Sequence, residues 1–297
     1  MDKKHIVITG GAGFVGGELS KVFLARGERV TVLDLVKPKT PIEGVHYLQV
    51  DLLKEVVPEN ISDASAIVHL SGASIFNRWT PEYKKLIYDS RIVTAQKMVE
   101  FFKDKKERPK VFVSASAVGI YGSRGEEFLN EESTPGGDFL AHVCVDWEKA
   151  ASAMGAYGTR TVSIRTGIVL GHGGGMLAKL VPIFKWGLGG PMGDGKQWFS
   201  FISMTDLLGV YEMAVYNESL LGPVNAVSPE PIRNRDLARA LGRMLHRPAF
   251  IPVPRFVLRI VLGEFAEAVL ASQRVVPNKL RKIHFQYKAS TIDEALN

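Results

Sequence analysis

Cysteine is almost missing from this chain: one residue of 297, Cys144, carries a thiol. That excludes an intrachain disulfide and any cysteine cage for zinc or an iron–sulfur cluster. The seven histidines stand at 5, 46, 69, 142, 172, 246 and 284, none paired at metal-ligand spacing, so no metal site is expected. Long apolar runs are missing as well. Phe256–Leu262 comes nearest, but Arg259 interrupts it and Glu264 follows, well short of the ~18–20 residues of a membrane span. A strand pattern opens at His5 with no signal-peptide pattern before it. Nor is charge of one sign concentrated. Lys plus Arg exceed Asp plus Glu by 37 − 31 = 6, and the densest basic run, Lys103–Lys110, reads as a solvated helix end. This balance suits an anionic small ligand such as a nucleotide and gives no nucleic-acid footprint. The expectation is a soluble cytoplasmic protein without nucleic-acid or membrane partners.

What is present is a large apolar fraction, 46% of residues, arranged in alternating short runs and helical stretches. Ile6–Thr9, Val30–Asp34, Val45–Val50, Ala66–Leu70, Lys110–Ala115 and Thr161–Arg165 read as strands. Several are apolar without alternation, as parallel strands covered on both faces require. Phe14–Arg26 places Val15, Leu19, Val22 and Phe23 on one stripe. Pro81–Lys103 and Phe139–Tyr157 are the other long helical candidates. The alternation predicts a doubly wound α/β Rossmann sheet. Gly167–Gly195 is glycine-rich and reads as irregular. Phe201–Tyr216 reads as a strand end and helix, Val224–Val227 as a strand, and Arg233–His246 and Phe256–Val276 as one helix each. The expected division is a sheet domain over 1–166, rejoined by 201–227, which the motif at 9–16 makes a dinucleotide-binding one. A smaller, mainly helical substrate domain takes 167–200 and 228–297.

Thr9–Gly16 follows the first strand and opens the first helix, with Gly10, Gly13 and Gly16 forming G-x-x-G-x-x-G. The first glycine permits the tight turn, the second lets backbone N–H groups approach a pyrophosphate, and the third allows close helix–strand packing. The helix N-terminus adds its dipole. Asp34 ends the second strand, 24 residues after Gly10. A carboxylate there accepts from both ribose hydroxyls and repels a 2′-phosphate, which favours NAD over NADP. Lys37 and Lys39 stand nearby as cations that a phosphate can use, and NADP stays open. The alternative role for Asp34 is to cap the turn over Leu35–Pro38.

With these residues the chain resembles the extended short-chain dehydrogenase/reductases, the superfamily of sugar-nucleotide epimerases and dehydratases. TGGAGFVG at 9–16 is similar to its glycine motif, and Val50-Asp51-Leu52 to its adenine-contacting Asp and the apolar residue after it. His69-Leu70-Ser71-Gly72-Ala73 resembles its fourth-strand segment along the cofactor, Ser114–Gly122 its fifth-strand segment, and Phe201–Leu207 the strand leading to a later helix. The resemblance implies a dinucleotide held by Gly10, Gly13, Phe14, Val15 and Gly16, with Asp34 and Leu35 at the second strand. Asp51, Leu52, Leu70, Ser71, Gly72, Arg91 and Thr166 complete the implied contacts. It further implies a homodimer through Pro81–Lys103 and Phe139–Tyr157.

The superfamily's catalytic Tyr and Lys, four residues apart on a helix, have no counterpart: no tyrosine here has lysine four positions on. Alignment on Trp147-Glu148 puts Leu140 and Cys144 at those positions, and neither side chain replaces the pair. Phe139-Leu140-Ala141, Asp146-Trp147-Glu148, Arg165–Gly171, Gly187–Gly193 and Ser272–Pro277 are similar to a narrower epimerase-like family once labelled cell-division inhibitors. Phe199 stands where epimerases commonly carry an arginine for a substrate phosphate, which disfavours a nucleotide-sugar substrate. The remaining catalytic candidates are Ser116, as a hydrogen-bond donor to a substrate oxygen, and Tyr121, as a proton donor. The alternatives are local backbone bonding for Ser116 and a pocket wall for Tyr121. His142 reads as a surface residue, Cys144 as buried packing, and Asp146 and Glu148 as helix surface. Arg91 reads as a cofactor or substrate contact or a surface ion pair. Trp79, Trp186 and Trp198 read as pocket lining or as clamps between domains. Two functions follow: an NAD(P)-dependent oxidoreductase or epimerase-like enzyme for a small polar substrate, or a catalytically silent NAD(P)-binding sensor.

Overall fold

A computed structural model describes residues 3–297. Strands and helices alternate as β1 (His5–Thr9), α1 (Phe14–Ala25), β2 (Arg29–Asp34), β3 (Val45–Gln49), β4 (Ala66–His69), α2 (Pro81–Lys103), β5 (Val111–Ala117), α3 (Phe139–Ser152) and β6 (Arg160–Thr166). There follow α4 (Leu177–Lys185), α5 (Met204–Tyr216), β7 (Gly222–Ala226), α6 (Asn234–Leu245), α7 (Arg255–Leu262) and α8 (Phe265–Leu270). The seven strands form one sheet in the order β3-β2-β1-β4-β5-β6-β7, every pairing parallel. Strand order reverses between β1 and β4. That opens a crevice at their carboxyl ends, where such sheets bind ligands.

Side-chain alternation explains why these strands tolerate continuous apolar sequence. Ile6 and Ile8 pack with Leu19 and Phe23 of α1 and Val210 of α5. Val7, between them, packs on the opposite face with Met98 and Phe102 of α2 and with Met154. Both faces are therefore dry, as a parallel sheet requires. Side chains fix where three of the helices begin. Thr80 accepts from the Tyr83 N–H at α2, Asp138 from Ala141 at α3, and Ser203 from Asp206 at α5. None of the helices in the described residues is long and apolar enough to cross a membrane.

A second core gathers Leu170, Leu177, Phe184, Leu237, Leu241 and Leu296 under α4 and α6. Three expected boundaries change here. Gly167–Gly195 is not wholly irregular: Ile168–Leu170 pairs in parallel with Phe201–Ser203, and α4 follows. The expected helix over Phe256–Val276 breaks at Gly263, whose φ of +61° ends α7. Its last residues instead form a strand, Arg274–Val275, beside Phe128–Leu129. The helix expected to reach Tyr157 is regular only to Ser152 and finishes as a 3₁₀ turn, Ala153–Tyr157.

Candidate cofactor and catalytic site

At Gly10 and Gly16 the loop after β1 is packed too closely for a side chain. Gly10 has φ +70°, and a Cβ there would lie 2.8 Å from the Leu70 backbone carbon. At Gly16 a Cβ would lie 2.5 Å from the Gly11 Cα. The loop is thus pressed between β4 and its own helix, and its main chain is what faces outward. α1 begins at Gly13 with no side-chain cap and no acidic residue in its first turn. The N–H groups of that turn border a cleft of about 480 Å³ that Ala12, Gly13, Phe14 and Tyr47 help to line. Uncapped helix donors over a side-chain-free cradle fit a dinucleotide pyrophosphate. The Phe14 ring is held by a glycine turn: at Gly174 a Cβ would lie 2.2 Å from it. Gly174 and Gly175, where a Cβ would lie 2.2 and 3.2 Å from the ring, were legible only as irregular chain; their use is to admit it.

The other expected cofactor residues also lie at the carboxyl ends of the strands. Asp34 accepts from the Ala12 N–H at 3.0 Å and the Val36 N–H at 3.1 Å, tying the end of β2 to the glycine loop. Leu35 beside it is 59% exposed, an apolar surface at the mouth of the crevice. Asp51 accepts from the Leu53 N–H at 3.0 Å and caps the turn after β3, with Leu52 buried behind it. The segment Leu70-Ser71-Gly72 leaves β4 and is braced from α2. Ser90 Oγ accepts from the Ala73 N–H at 2.9 Å, and Arg91 Nη2 donates to the Ala73 carbonyl at 3.0 Å. Arg91 also donates to the Ile87 carbonyl and lies 5.2 Å over the Trp147 ring. Arg91 therefore makes no surface ion pair with the described residues; it shapes the loop under the crevice. His69, at the end of β4, is fully buried between Thr9, whose hydroxyl lies 2.7 Å from Nδ1, and Arg91, whose carbonyl lies 3.4 Å from Nε2. Burial pushes its pKa down to about 4, so the ring is neutral.

Ser116, the penultimate residue of β5, meets a buried ion pair. Its hydroxyl donates to Glu148 Oε1 at 2.7 Å. Arg165 of β6 grips the same carboxylate in bidentate fashion, Nε to Oε1 at 2.8 Å and Nη2 to Oε2 at 2.9 Å. Burial works against the Arg165 charge, but Glu148 outweighs it and keeps the guanidinium protonated more firmly than usual. Glu148 is thus no helix-surface residue, and Asp146 accepts a hydrogen bond from Tyr88 at 2.8 Å. Arg165 Nη1 donates to the Tyr121 hydroxyl at 2.9 Å, which in turn donates to Asn225 Oδ1 at 2.7 Å. Burial moves Tyr121 up to about 12. Its hydroxyl is therefore engaged inside the protein as a brace for Arg165. Glu131 adds a second buried carboxylate, its Oε1 accepting from the Asn225 and Lys279 N–H groups. Cys144 lies against Ser116 and Ala117 on α3, its thiol pushed up to about 12 by burial. His142 is exposed.

Sequence reading missed Glu148, Arg165, Glu131 and Asn225. One signal was available: Arg165 closes an otherwise uncharged strand run, and a buried arginine requires a partner. The partner comes from α3 and could not be chosen by spacing. Of the tryptophans, Trp79 stacks near Phe139 and Phe265, with centroids 5.3 and 5.6 Å away, and so joins α8 to the sheet domain. Trp198 lies under Arg233 and Arg274, whereas Trp186 is 83% exposed and clamps nothing.

Comparison with known proteins places this geometry. Residues 6–224 match the model of the NAD dependent epimerase/dehydratase family, and residues 253–297 match a domain of unknown function, DUF1731. The epimerase family protein SDR39U1 homolog, chloroplastic, of Arabidopsis thaliana is 36% identical over 98% of this chain and 85% of its own length. The epimerase family protein YfhF of Bacillus subtilis is 35% identical over 99% and 97%. The crystal structure of human epimerase family protein SDR39U1 with NADPH superposes with a TM-score of 0.87 at 31% identity, covering 98% of this chain and 97% of that one. Thermus thermophilus UDP-glucose 4-epimerase in complex with NAD, 22% identical over 98% of this chain and 96% of its own, shares the fold with a TM-score of 0.79.

Proposed function

Since the chain belongs to the NAD-dependent epimerase/dehydratase family, we propose that it is an NAD(P)-dependent oxidoreductase or epimerase-like enzyme for a small polar substrate. In this reading the uncapped N–H groups of α1 would hold the pyrophosphate, Asp34 would accept from the adenosine ribose, and Ser116 and Thr166 would flank the nicotinamide, which supplies hydride chemistry when bound. Asp34 favours NAD by its charge. Its oxygens already accept from two backbone N–H groups, which softens its repulsion of a 2′-phosphate and leaves NADP as a second cofactor.

The observation that carries a catalytic role is the Ser116–Glu148–Arg165 chain. A bound nicotinamide supplies the hydride acceptor or donor. In alcohol oxidation the substrate hydroxyl donates to Ser116 Oγ, whose own O–H donates to Glu148. As the carbon is oxidised, the substrate proton passes to Ser116 Oγ and the serine proton passes to Glu148 Oε1. Ketone reduction runs the same transfers backward. Arg165 holds the carboxylate in line and Tyr121 holds Arg165. Phe199 is buried and carries no charge toward the site, so a diphosphate substrate lacks its usual anchor.

The test is nicotinamide absorbance followed with NAD and NADP across a panel of small secondary alcohols, sugars and ketones. Sustained turnover is expected, falling at least ~100-fold in Ser116→Ala with cofactor affinity unchanged. Tight cofactor binding with no turnover on any compound would instead identify a silent dinucleotide sensor.

A further inference from the structure

We propose that the outer face of α6 forms a second ligand site, separate from the crevice, for a small molecule bearing two or more phosphates. Arg235, Arg239 and Arg243 recur every fourth residue and so share one face at ~6 Å steps along the axis. The helix has neither Lys nor Glu, and its one acidic residue, Asp236, stands against three arginines on this face. A merely solvated face commonly mixes both signs, whereas guanidinium forks match phosphate oxygens in pairs.

The face is walled into a groove of about 980 Å³, within the range of small-molecule sites. His246, with φ +51°, turns the chain back after α6. The returning segment then packs so closely that a Cβ at Gly242 would lie 2.7 Å from Ala249. Arg247 and Phe250 line the groove from this wall. Pro191 and Asp194 line the other, and a Cβ at Gly195 would lie 2.7 Å from Pro191 and 3.0 Å from Arg235. Phe250, 74% exposed, offers an aromatic face to the rest of the ligand.

Most guanidinium donors remain available. Arg235 makes no side-chain hydrogen bond or ion pair with the described residues. Arg239 lies 3.6 Å from Asp236. Arg243 uses Nη2 on Asp293 at 2.7 and 2.8 Å. Arg247 uses Nε and Nη1 on the Lys185 and His246 carbonyls. One lining carboxylate, Asp194, opposes an anion, and it lies 4.0 Å from Arg255. The groove shares no lining residue with the cleft beside the glycine loop.

The test is calorimetric titration of the full chain with inorganic tripolyphosphate at low salt. Three proteins are compared: wild type, Arg235→Gln/Arg239→Gln, and a charge-matched control at exposed sites, Lys106→Gln/Lys179→Gln. The arginine variant is expected to bind at least tenfold more weakly at this site, while the control binds as wild type does. Circular dichroism checks that all three are folded. Equal binding by the arginine variant, equal loss in the control, or polyglutamate bound as tightly as tripolyphosphate would overturn the proposal. Arginine-dependent sedimentation with vesicles of phosphatidylcholine and phosphatidylglycerol, without tripolyphosphate binding, would overturn it in favour of a lipid surface.

Discussion

Glu148, with a side chain 15% exposed, sits between Ser116 and Arg165, which is less exposed still. Removing one member of such a pair strands the other charge in a poor solvent for it. Glu148→Ala should therefore lower unfolding stability by about 3 kcal/mol, and Glu148→Leu/Arg165→Met by clearly less than the two single changes summed. Urea denaturation of wild type, Glu148→Ala, Glu148→Leu, Arg165→Met and the double variant checks this. A second residue-scale expectation concerns pH. His69 binds its proton with a pKa of about 4 when folded, against 6.5 for an ordinary exposed histidine. Protonation thus favours the unfolded chain: the stabilising contribution is complete above pH ~6.5 and is lost as pH falls toward ~4, about 3 kcal/mol in all. Denaturation midpoints measured between these limits should fall more shallowly in His69→Gln. The ring's neutrality could not be read from the sequence, because His69 is one apolar-flanked histidine among seven, and its burial depends on Trp147 and Phe112 packing around it.

Helices and strands were legible where their period was. The runs of β1, β2, β4 and β5 lie close to where apolar residues predict them, because a strand dry on both faces leaves no room for polar ones. Short elements without a period, such as α4 with Pro182 inside it, were not legible. Neither was the break at Gly263, since a glycine within an apolar run shows its φ only in three dimensions. Caps give the element-scale predictions. Asp138→Ala removes the acceptor for the Ala141 N–H at the start of α3 and should cost about 1 kcal/mol, read by thermal or urea unfolding. Because α3 carries Glu148, such fraying should also lower turnover. Gly10→Ala combines a left-handed φ with a backbone clash and should cost more than 1 kcal/mol while weakening cofactor binding. Differential scanning fluorimetry with and without NADH reads both effects.

At the scale of the whole molecule, the glycine loop, Asp34, Asp51, the β4 loop, Ser116 and Thr166 converge because parallel strands all present their carboxyl ends to one edge. Sequence order sufficed to bring these residues to one edge of the sheet. The buried chain through Glu148, Arg165, Tyr121 and Asn225 joins α3, β6, the turn after β5 and β7. Such joins between elements distant in sequence leave no spacing to read. The central claim is that the uncapped first turn of α1 holds a dinucleotide pyrophosphate, and Gly13→Asp tests it most directly. Gly13 has an extended backbone, φ −77° and ψ 179°, which suits an aspartate cap; a Cβ there would lie 3.2 Å from the Gly10 carbonyl oxygen, so circular dichroism is used to check that the variant is folded. Its carboxylate would occupy the same N–H groups and repel the pyrophosphate. Calorimetry with NADH and NADPH should show binding to wild type and a loss of at least tenfold in Gly13→Asp; equal binding by a folded variant, or no heat from wild type at millimolar cofactor, would contradict the account.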